Sequence, residues 1–185
     1  VGDLIYLQDS VSGKTLDQLP EAEAAFVASN PSTGAILSYQ GGFNFSKSNF
    51  DRVKQSFPQA GSSFKPFIYS AAIANGYKAS DTINDAPIIF EDQNLESAWR
   101  PENYTGNFYG PIRLREALVQ SVNIVSIKLL RELGIDKAHT FLEKFGFPKS
   151  RLAHDLSLAL GSSSFSPAEM IRAYNFLANS LRIIV

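Results

Sequence analysis

Two short clusters carry side chains whose types and spacing suit acyl transfer. In Gly61-Ser62-Ser63-Phe64-Lys65-Pro66, Ser62 and Lys65 stand three residues apart at the start of a helical pattern. At that spacing two side chains share one helix face. A serine hydroxyl becomes a nucleophile only with a base in hydrogen-bond reach. A lysine amine can be that base if its pKa falls, which burial and the positive potential of a helix start both promote. The first-turn N–H groups lack intrahelical partners, and one of them can stabilise an oxyanion. Pro66 is tolerated because it sits in that first turn. By spacing alone, a capping serine beside a solvated lysine accounts for Ser-x-x-Lys more often than catalysis does. Ser63 is a rival nucleophile, but it lacks a lysine three residues on.

The second cluster is Ser121-Val122-Asn123. In an extended or turned backbone Ser121 and Asn123 point the same way, and an asparagine amide can bind a substrate amide. A helix cap or a polar helix face explains the same three residues.

These residues need a scaffold. Leu4 to Leu7 reads as a short strand, and Gln8 to Pro20, polar with Gly and Pro, as a loop. Glu23 to Asn30 and Ala35 to Tyr39 flank Asn30-Pro31-Ser32-Thr33-Gly34, whose Pro and Gly suit a turn, so they form a β-hairpin. Both strands are apolar on both faces, so the hairpin is expected to be covered. From Ser62 the period turns helical, with Phe64, Phe67, Ile68, Ala71 and Ala72 on one stripe and Asn75-Gly76 as the stop. Tyr77 to Pro111 is a long connection, which in a compact domain is functional or hides short elements. Helix follows over Ile112 to Glu132, divided near Ser121 and closed by Gly134. Asp136 caps a further helix that ends at Gly146, and Ser166-Pro167-Ala168-Glu169 is a capping box opening the last helix, to about Asn179. The order is hairpin, helix, long loop, helical block, which makes the fold class α+β.

The 185 residues fit one domain with a small appendage. With 44% hydrophobic and 19% charged residues the chain is globular rather than disordered. A net charge of -1 without a basic stripe argues against nucleic acid; Arg113, Arg115 and Lys128 read as a solvated helix face. The absence of cysteine removes thiolate catalysis and cysteine-held metals and suits an oxidising compartment. No apolar run is long enough to span a membrane and no signal-like N-terminus is present, so any anchor lies outside this chain. The start on Val1-Gly2-Asp3, without Met, is expected of a piece of a longer protein.

The paired clusters and the segments around them resemble the penicilloyl-serine transferases, whose motifs are Ser-x-x-Lys, Ser-x-Asn and Lys-Thr-Gly. The likeness is strongest to the transpeptidase domain of class A, bifunctional penicillin-binding proteins. It includes Ala24-Ala25-Phe26-Val27-Ala28-Ser29-Asn30-Pro31-Ser32-Thr33-Gly34, Gly41-Gly42-Phe43-Asn44-Phe45, Trp99-Arg100-Pro101-Glu102-Asn103-Tyr104, Leu114-Arg115-Glu116-Ala117-Leu118 and Leu160-Gly161-Ser162. It extends over about residues 22 to 180. The resemblance implies a helical block packed on an antiparallel sheet, with the C-terminal strands largely missing. It divides the chain into 1–20, a linker or the edge of a neighbouring domain; 21–180, a partial transpeptidase domain; and 181–185, a strand of uncertain continuity. By the same resemblance Ser62, Lys65 and Ser121 are catalytic, and Asn123, Trp99, Tyr109, Gly161 and Ser162 bind substrate. The implied function is cross-linking of peptidoglycan stem peptides ending in D-Ala-D-Ala through an acyl-serine, inhibited by β-lactams. The implied place is the periplasmic side of a bacterial inner membrane, with a glycosyltransferase domain and an anchor earlier in the parent protein. No cofactor or metal is needed.

The chain departs from the family where Lys-Thr-Gly should follow Ser121; Lys14-Thr15-Leu16 has no glycine and precedes the nucleophile. The run after Asn179 reads as a truncation or a join, and the fragment alone is expected to fall short of activity. Phe57-Pro58-Gln59-Ala60 also replaces the usual Arg-Gln-Pro before the nucleophile. A non-catalytic β-lactam sensor or scaffold and a serine β-lactamase are the alternatives, although the Glu-x-x-x-Asn of class A lactamases is absent. Gly13-Lys14-Thr15 lacks the first glycine of a P-loop. His139 and His154 stand apart in sequence and read as surface or core residues rather than ligands. Tyr104, Phe108 and Tyr109 line a cleft or pack under the loop, and Trp99 gates or anchors. Asp81, Asp85, Glu91 and Asp92 read as solvated loop carboxylates.

Overall fold

The computed structural model describes residues 2, 5–18, 21–89 and 99–179. Glu91, Asp92 and the C-terminal run from residue 180 lie outside the described residues. Among the described residues three antiparallel strand pairs accompany a helical block: β1 (Tyr6–Ser10) with β2 (Gly13–Asp17), β3 (Phe26–Ser29) with β4 (Ile36–Gln40), and β5 (Thr82–Asp85) with β6 (Gly110–Arg113). The helices are α1 (Lys65–Ala74), α2 (Leu114–Val119), α3 (Asn123–Leu133), α4 (Ile135–Leu142) and α5 (Pro167–Ala178). The architecture is the α+β one read from the sequence.

The hairpin β1–β2 replaces the loop expected over Gln8 to Pro20, and Gly13-Lys14-Thr15 lies on its second strand. Every residue of both strands is exposed, so no apolar alternation marked them. The long connection does hide short elements, namely β5 and β6, which close it at its two ends.

α1 is the centre of the core. Phe67, Ile68, Tyr69, Ala71 and Ala72 are buried against α3, α4 and the 3-10 turn Leu156–Leu160, while Ile73 and Ala74 are exposed. Phe64, Phe67, Phe145, Phe147, Phe165 and Tyr174 pack as one aromatic cluster, with the ring centres of Phe147 and Phe165 4.5 Å apart. The cluster clamps the start of α1 against the segment that leads into α5. Ser126 joins α3 to α1 through the Tyr69 hydroxyl at 3.2 Å while its own hydroxyl donates to the Val122 carbonyl.

α5 begins on the capping box read from the sequence: Ser166 Oγ accepts from Glu169 N, and the Glu169 carboxylate accepts from Ser166 N. The hairpin β3–β4 packs on α5, where Ser29 Oγ donates to Asn175 Oδ1. It is covered on that side only. Phe26, Ile36 and Leu37 are exposed, and a groove of about 630 Å³ between hairpin and α5 is lined by Val27, Ile36, Ile171 and Phe176. The expectation of a fully covered hairpin is thereby corrected. One further reading changes. α4 is preceded by Gly134, with Asp136 inside its first turn rather than capping it. His139 and His154 meet in space, their rings 4.8 Å apart, with His139 wholly buried and its Nε2 2.9 Å from the Ala153 carbonyl oxygen.

Candidate active site

The entry to α1 is held from two sides. Residues 58–61 run antiparallel to 161–165: Phe165 N donates to the Pro58 carbonyl, Ala60 N to Ser163 O at 3.0 Å and Gly61 N to Gly161 O at 2.9 Å. The chain then winds one 3-10 turn, Gly61–Phe64, before α1. Tyr174 of α5 reaches this turn and donates to the Ser63 carbonyl at 2.7 Å. Ser62 and Ser63 are both exposed, but their hydroxyls differ. Ser63 Oγ is committed to the Ala60 carbonyl at 2.5 Å. Among the described residues no hydrogen bond engages the Ser62 hydroxyl or the Ser62 N–H. Of the two serines, Ser62 is therefore the one with a hydroxyl and an adjacent backbone donor to offer a ligand.

Lys65 is 1% exposed. Its Nζ lies 2.6 Å from Ser121 O, 3.0 Å from Ser121 Oγ and 2.7 Å from Asn123 Oδ1. An ammonium has three donors, and these three oxygens take them all. Burial in this setting lowers the Lys65 pKa from 10.5 to about 8, because desolvation penalises the charged amine. The bonded partners of Lys65 are Ser121 and Asn123, and no hydrogen bond joins it to Ser62.

Ser121 makes this contact possible through its backbone. α2 ends in a Schellman motif: Val122 N donates to Ala117 O at 2.9 Å and Ser121 N to Leu118 O at 3.0 Å. Glycine usually occupies the left-handed position of that motif. Here Ser121 does, at φ 54, the one non-glycine residue with positive φ among those described. Such strain costs roughly 1–2 kcal/mol and concentrates at functional sites. It stops α2, starts α3 two residues later and presents the Ser121 carbonyl and hydroxyl to Lys65.

α3 starts on Val122, which has no side-chain oxygen to cap it. The cap comes from the long connection. Asn103 Oδ1 accepts from Asn123 N at 3.0 Å and from Ile124 N at 3.2 Å. Asn103 Nδ2 in turn donates to both carboxylate oxygens of Asp85, at 3.0 and 2.9 Å, and to Asn107 O. Asp85 also accepts from Tyr109 N at 2.9 Å, and Asn123 Nδ2 donates to Glu102 O. Asp85 is 1% exposed, so its reading as a solvated carboxylate is corrected. Lys128 is corrected likewise: its Nζ donates to the carbonyls of Asn84 and Ala86, which brackets Asp85 from the backbone side.

Lys65, Ser121 and Asn123 thus meet where the start of α1 faces the start of α3, with Ser62 three residues before Lys65 in the 3-10 turn. The remaining expected site residues have settings of their own. Gly161 is buried beneath the Ser62 turn, and Ser162 Oγ is bonded to Ser157 Oγ at 2.7 Å. Trp99 is partly buried against the core, and Tyr109 is exposed. Asp85 and the capping role of Asn103 went unseen, because a carboxylate in a polar loop carries no local mark of the helix end it serves. No cluster of metal-ligating side chains and no helix able to cross a membrane occurs among the described residues.

The model of the penicillin-binding protein transpeptidase domain matches residues 24–184. The chain belongs to the penicillin-binding protein transpeptidase family. Penicillin-binding protein 1A of Pseudomonas aeruginosa is 48% identical over 179 residues, which are 96% of this chain and 22% of that protein. The crystal structure of penicillin-binding protein 1A from Haemophilus influenzae superposes with a TM-score of 0.86 at 40% identity, covering 93% of this chain and 26% of that one. PonA1 from Mycobacterium tuberculosis, solved in complex with penicillin V, superposes with a TM-score of 0.71 at 25% identity, over 85% of this chain and 45% of that one. The chain therefore spans about a fifth of the length of the curated relatives it matches. It has the penicillin-binding transpeptidase fold, with the Ser-x-x-Lys and Ser-x-Asn motifs of the family brought into one site.

Proposed function

We propose that this chain carries the nucleophile of a peptidoglycan D,D-transpeptidase of the class A penicillin-binding proteins. The observation that supports it most is the burial of the Lys65 amine between Ser121 and Asn123, one turn from a serine whose hydroxyl is exposed and unbonded. In its neutral form Lys65 takes the proton of Ser62 as the Ser62 oxygen attacks the carbonyl of the penultimate D-Ala. The tetrahedral oxyanion is held by the Ser62 N–H. The C–N bond to the terminal D-Ala then breaks, and the leaving amine receives a proton passed through Ser121 Oγ. A neighbouring stem's amine attacks the acyl-Ser62 ester, loses its proton to the same base and releases the serine as a cross-link forms. Asn123 Nδ2 is held by Glu102 O, and substrate binding draws that amide toward the stem-peptide backbone. A β-lactam acylates the same serine because its ring amide occupies the place of the D-Ala-D-Ala bond.

The chain has no Lys-Thr-Gly after Ser121. The cationic contact for the substrate carboxylate and a second oxyanion donor belong, in this reading, to other residues of the parent protein. That protein acts on the periplasmic side of a bacterial inner membrane, with its anchor and a glycosyltransferase domain outside this chain. In this reading residues 1–20 belong to a linker or to the edge of a neighbouring domain. No cofactor enters the chemistry.

The test is a fluorescent-penicillin gel on the full-length parent. A covalent band that Ser62→Ala abolishes, together with turnover of a stem-peptide analogue, supports the transpeptidase. A band without turnover indicates a sensor, and a band that persists in Ser62→Ala overturns the assignment of the nucleophile.

A further inference from the structure

The buried pair Asp85–Asn103 has no place in the steps above, yet it is bonded to the residue that holds Lys65. α3 begins without a cap of its own, and its N–H groups at Asn123 and Ile124 are supplied by one oxygen, Asn103 Oδ1. Ile124 is fully buried and Asn103 is 6% exposed. A buried N–H left unpaired is destabilising, so this oxygen is under demand from two donors.

An asparagine amide can be turned over, exchanging its oxygen and nitrogen. What fixes the turn here is Asp85. An ionised carboxylate only accepts, and both its oxygens face Asn103 Nδ2 at 3.0 and 2.9 Å. The NH2 group must therefore point to Asp85 and the oxygen to α3. The carboxylate is seated by Tyr109 N, and Asn107 O receives the amide as well. Beyond the cap, Asn123 is pinned at its backbone by Asn103 and at its side chain by Glu102 O, and its Oδ1 is 2.7 Å from Lys65 Nζ.

We propose that Asp85 and Asn103 are positioning residues for the acyl-transfer site: the carboxylate orients the amide, the amide seats the first residue of α3, and that residue fixes the Lys65 amine. The inference rests on the transpeptidase reading, because its readout is acylation of Ser62. Three variants of the full-length parent test it, Asp85→Asn, Asn103→Asp and the swap D85N/N103D. Asp85→Asn lets the amide turn over, and Asn103→Asp sets two carboxylates face to face. The swap restores one donor facing one acceptor-only group while keeping an oxygen on α3.

The measurement is fluorescent-penicillin acylation, resolved into the first-order acylation rate and the prior binding constant, at a temperature well below each variant's unfolding midpoint. Each single variant is expected to lower the acylation rate about ten- to hundredfold with binding changed by less than about threefold. The swap is expected to recover most of that loss. A merely structural pair would move the unfolding midpoint and leave the acylation rate of the folded fraction alone. Single variants that acylate within twofold of wild type, or a swap no faster than the slower single, overturn the proposal. If a single variant does not fold, the swap decides: a rate near wild type supports the proposal, and a folded swap as slow as a loss of the pair refutes it. Loss of labelling only in Ser62→Ala, with all three variants labelled at the wild-type rate, would sink this inference and leave the transpeptidase reading standing.

Discussion

The Ser121 carbonyl oxygen accepts from Lys65 Nζ at 2.6 Å, and it faces that way because Ser121 holds φ at 54. One backbone conformation thus ends a helix and sets the bonded environment of the buried amine. The serine supplies both a carbonyl and a hydroxyl there, whereas a glycine would supply the first alone.

Replacement of Ser121 separates these contributions. Ser121→Gly relieves the left-handed strain and is expected to raise stability by about 0.5–1 kcal/mol. Ser121→Ala keeps the strain and is expected to leave stability within about 1 kcal/mol of wild type. Both remove Oγ, and both should slow acylation by at least about tenfold if the hydroxyl relays a proton. Urea titration and penicillin acylation on the same preparations check the two effects together.

Lys65 also makes stability depend on pH. Its folded pKa is about 8 against the ordinary 10.5. Between those values the unfolded chain binds the proton and the folded chain does not, so stability rises with pH across the window and is lost again as pH falls through about 8. Below it both forms are protonated and the slope from this group vanishes. Urea midpoints from pH 7 to 10.5 should show the rise in wild type and a flatter curve in Lys65→Met.

Gly161 tests the support beneath Ser62. A Cβ at this position would fall 2.0 Å from Gly61 O and 2.6 Å from Gly61 N, and its φ is +73. Gly161→Ala must push away the turn that carries Ser62. Overpacking and left-handed strain together are expected to cost about 2–4 kcal/mol. Acylation should fall about a hundredfold even where the variant is folded.

The cap of α5 is a contrasting case. Ser166→Ala removes the acceptor for Glu169 N and is expected to cost about 1 kcal/mol. Since Ser166 contacts neither Ser62 nor Lys65, acylation of the folded protein should stay within twofold of wild type.

What was legible in the sequence was local. The Ser166 capping box, the stop at Asn75-Gly76 and the break at Ser121 depend on residues within a few positions of each other. So does the spacing of Ser62, in the 3-10 turn, and Lys65, the first residue of α1. The misread parts depend on partners far along the chain. Asp85 meets Asn103, 18 positions away. Lys128 finds carbonyls more than forty positions earlier. A loop carboxylate or a helix lysine looks solvated until the fold supplies its partner. The hairpin β1–β2 was missed for another reason: it is exposed throughout and so has no buried face to impose alternation.

The account stands or falls on the protonation of one amine. Isotope labelling of lysine side chains in the full-length parent, with the Lys65 signal assigned by its loss in Lys65→Arg, gives that titration directly by NMR. The predicted midpoint is about 8, with the Ser62 acylation rate rising through the same midpoint. A midpoint at or above 10.5, or an acylation rate indifferent to pH across that range, would contradict it.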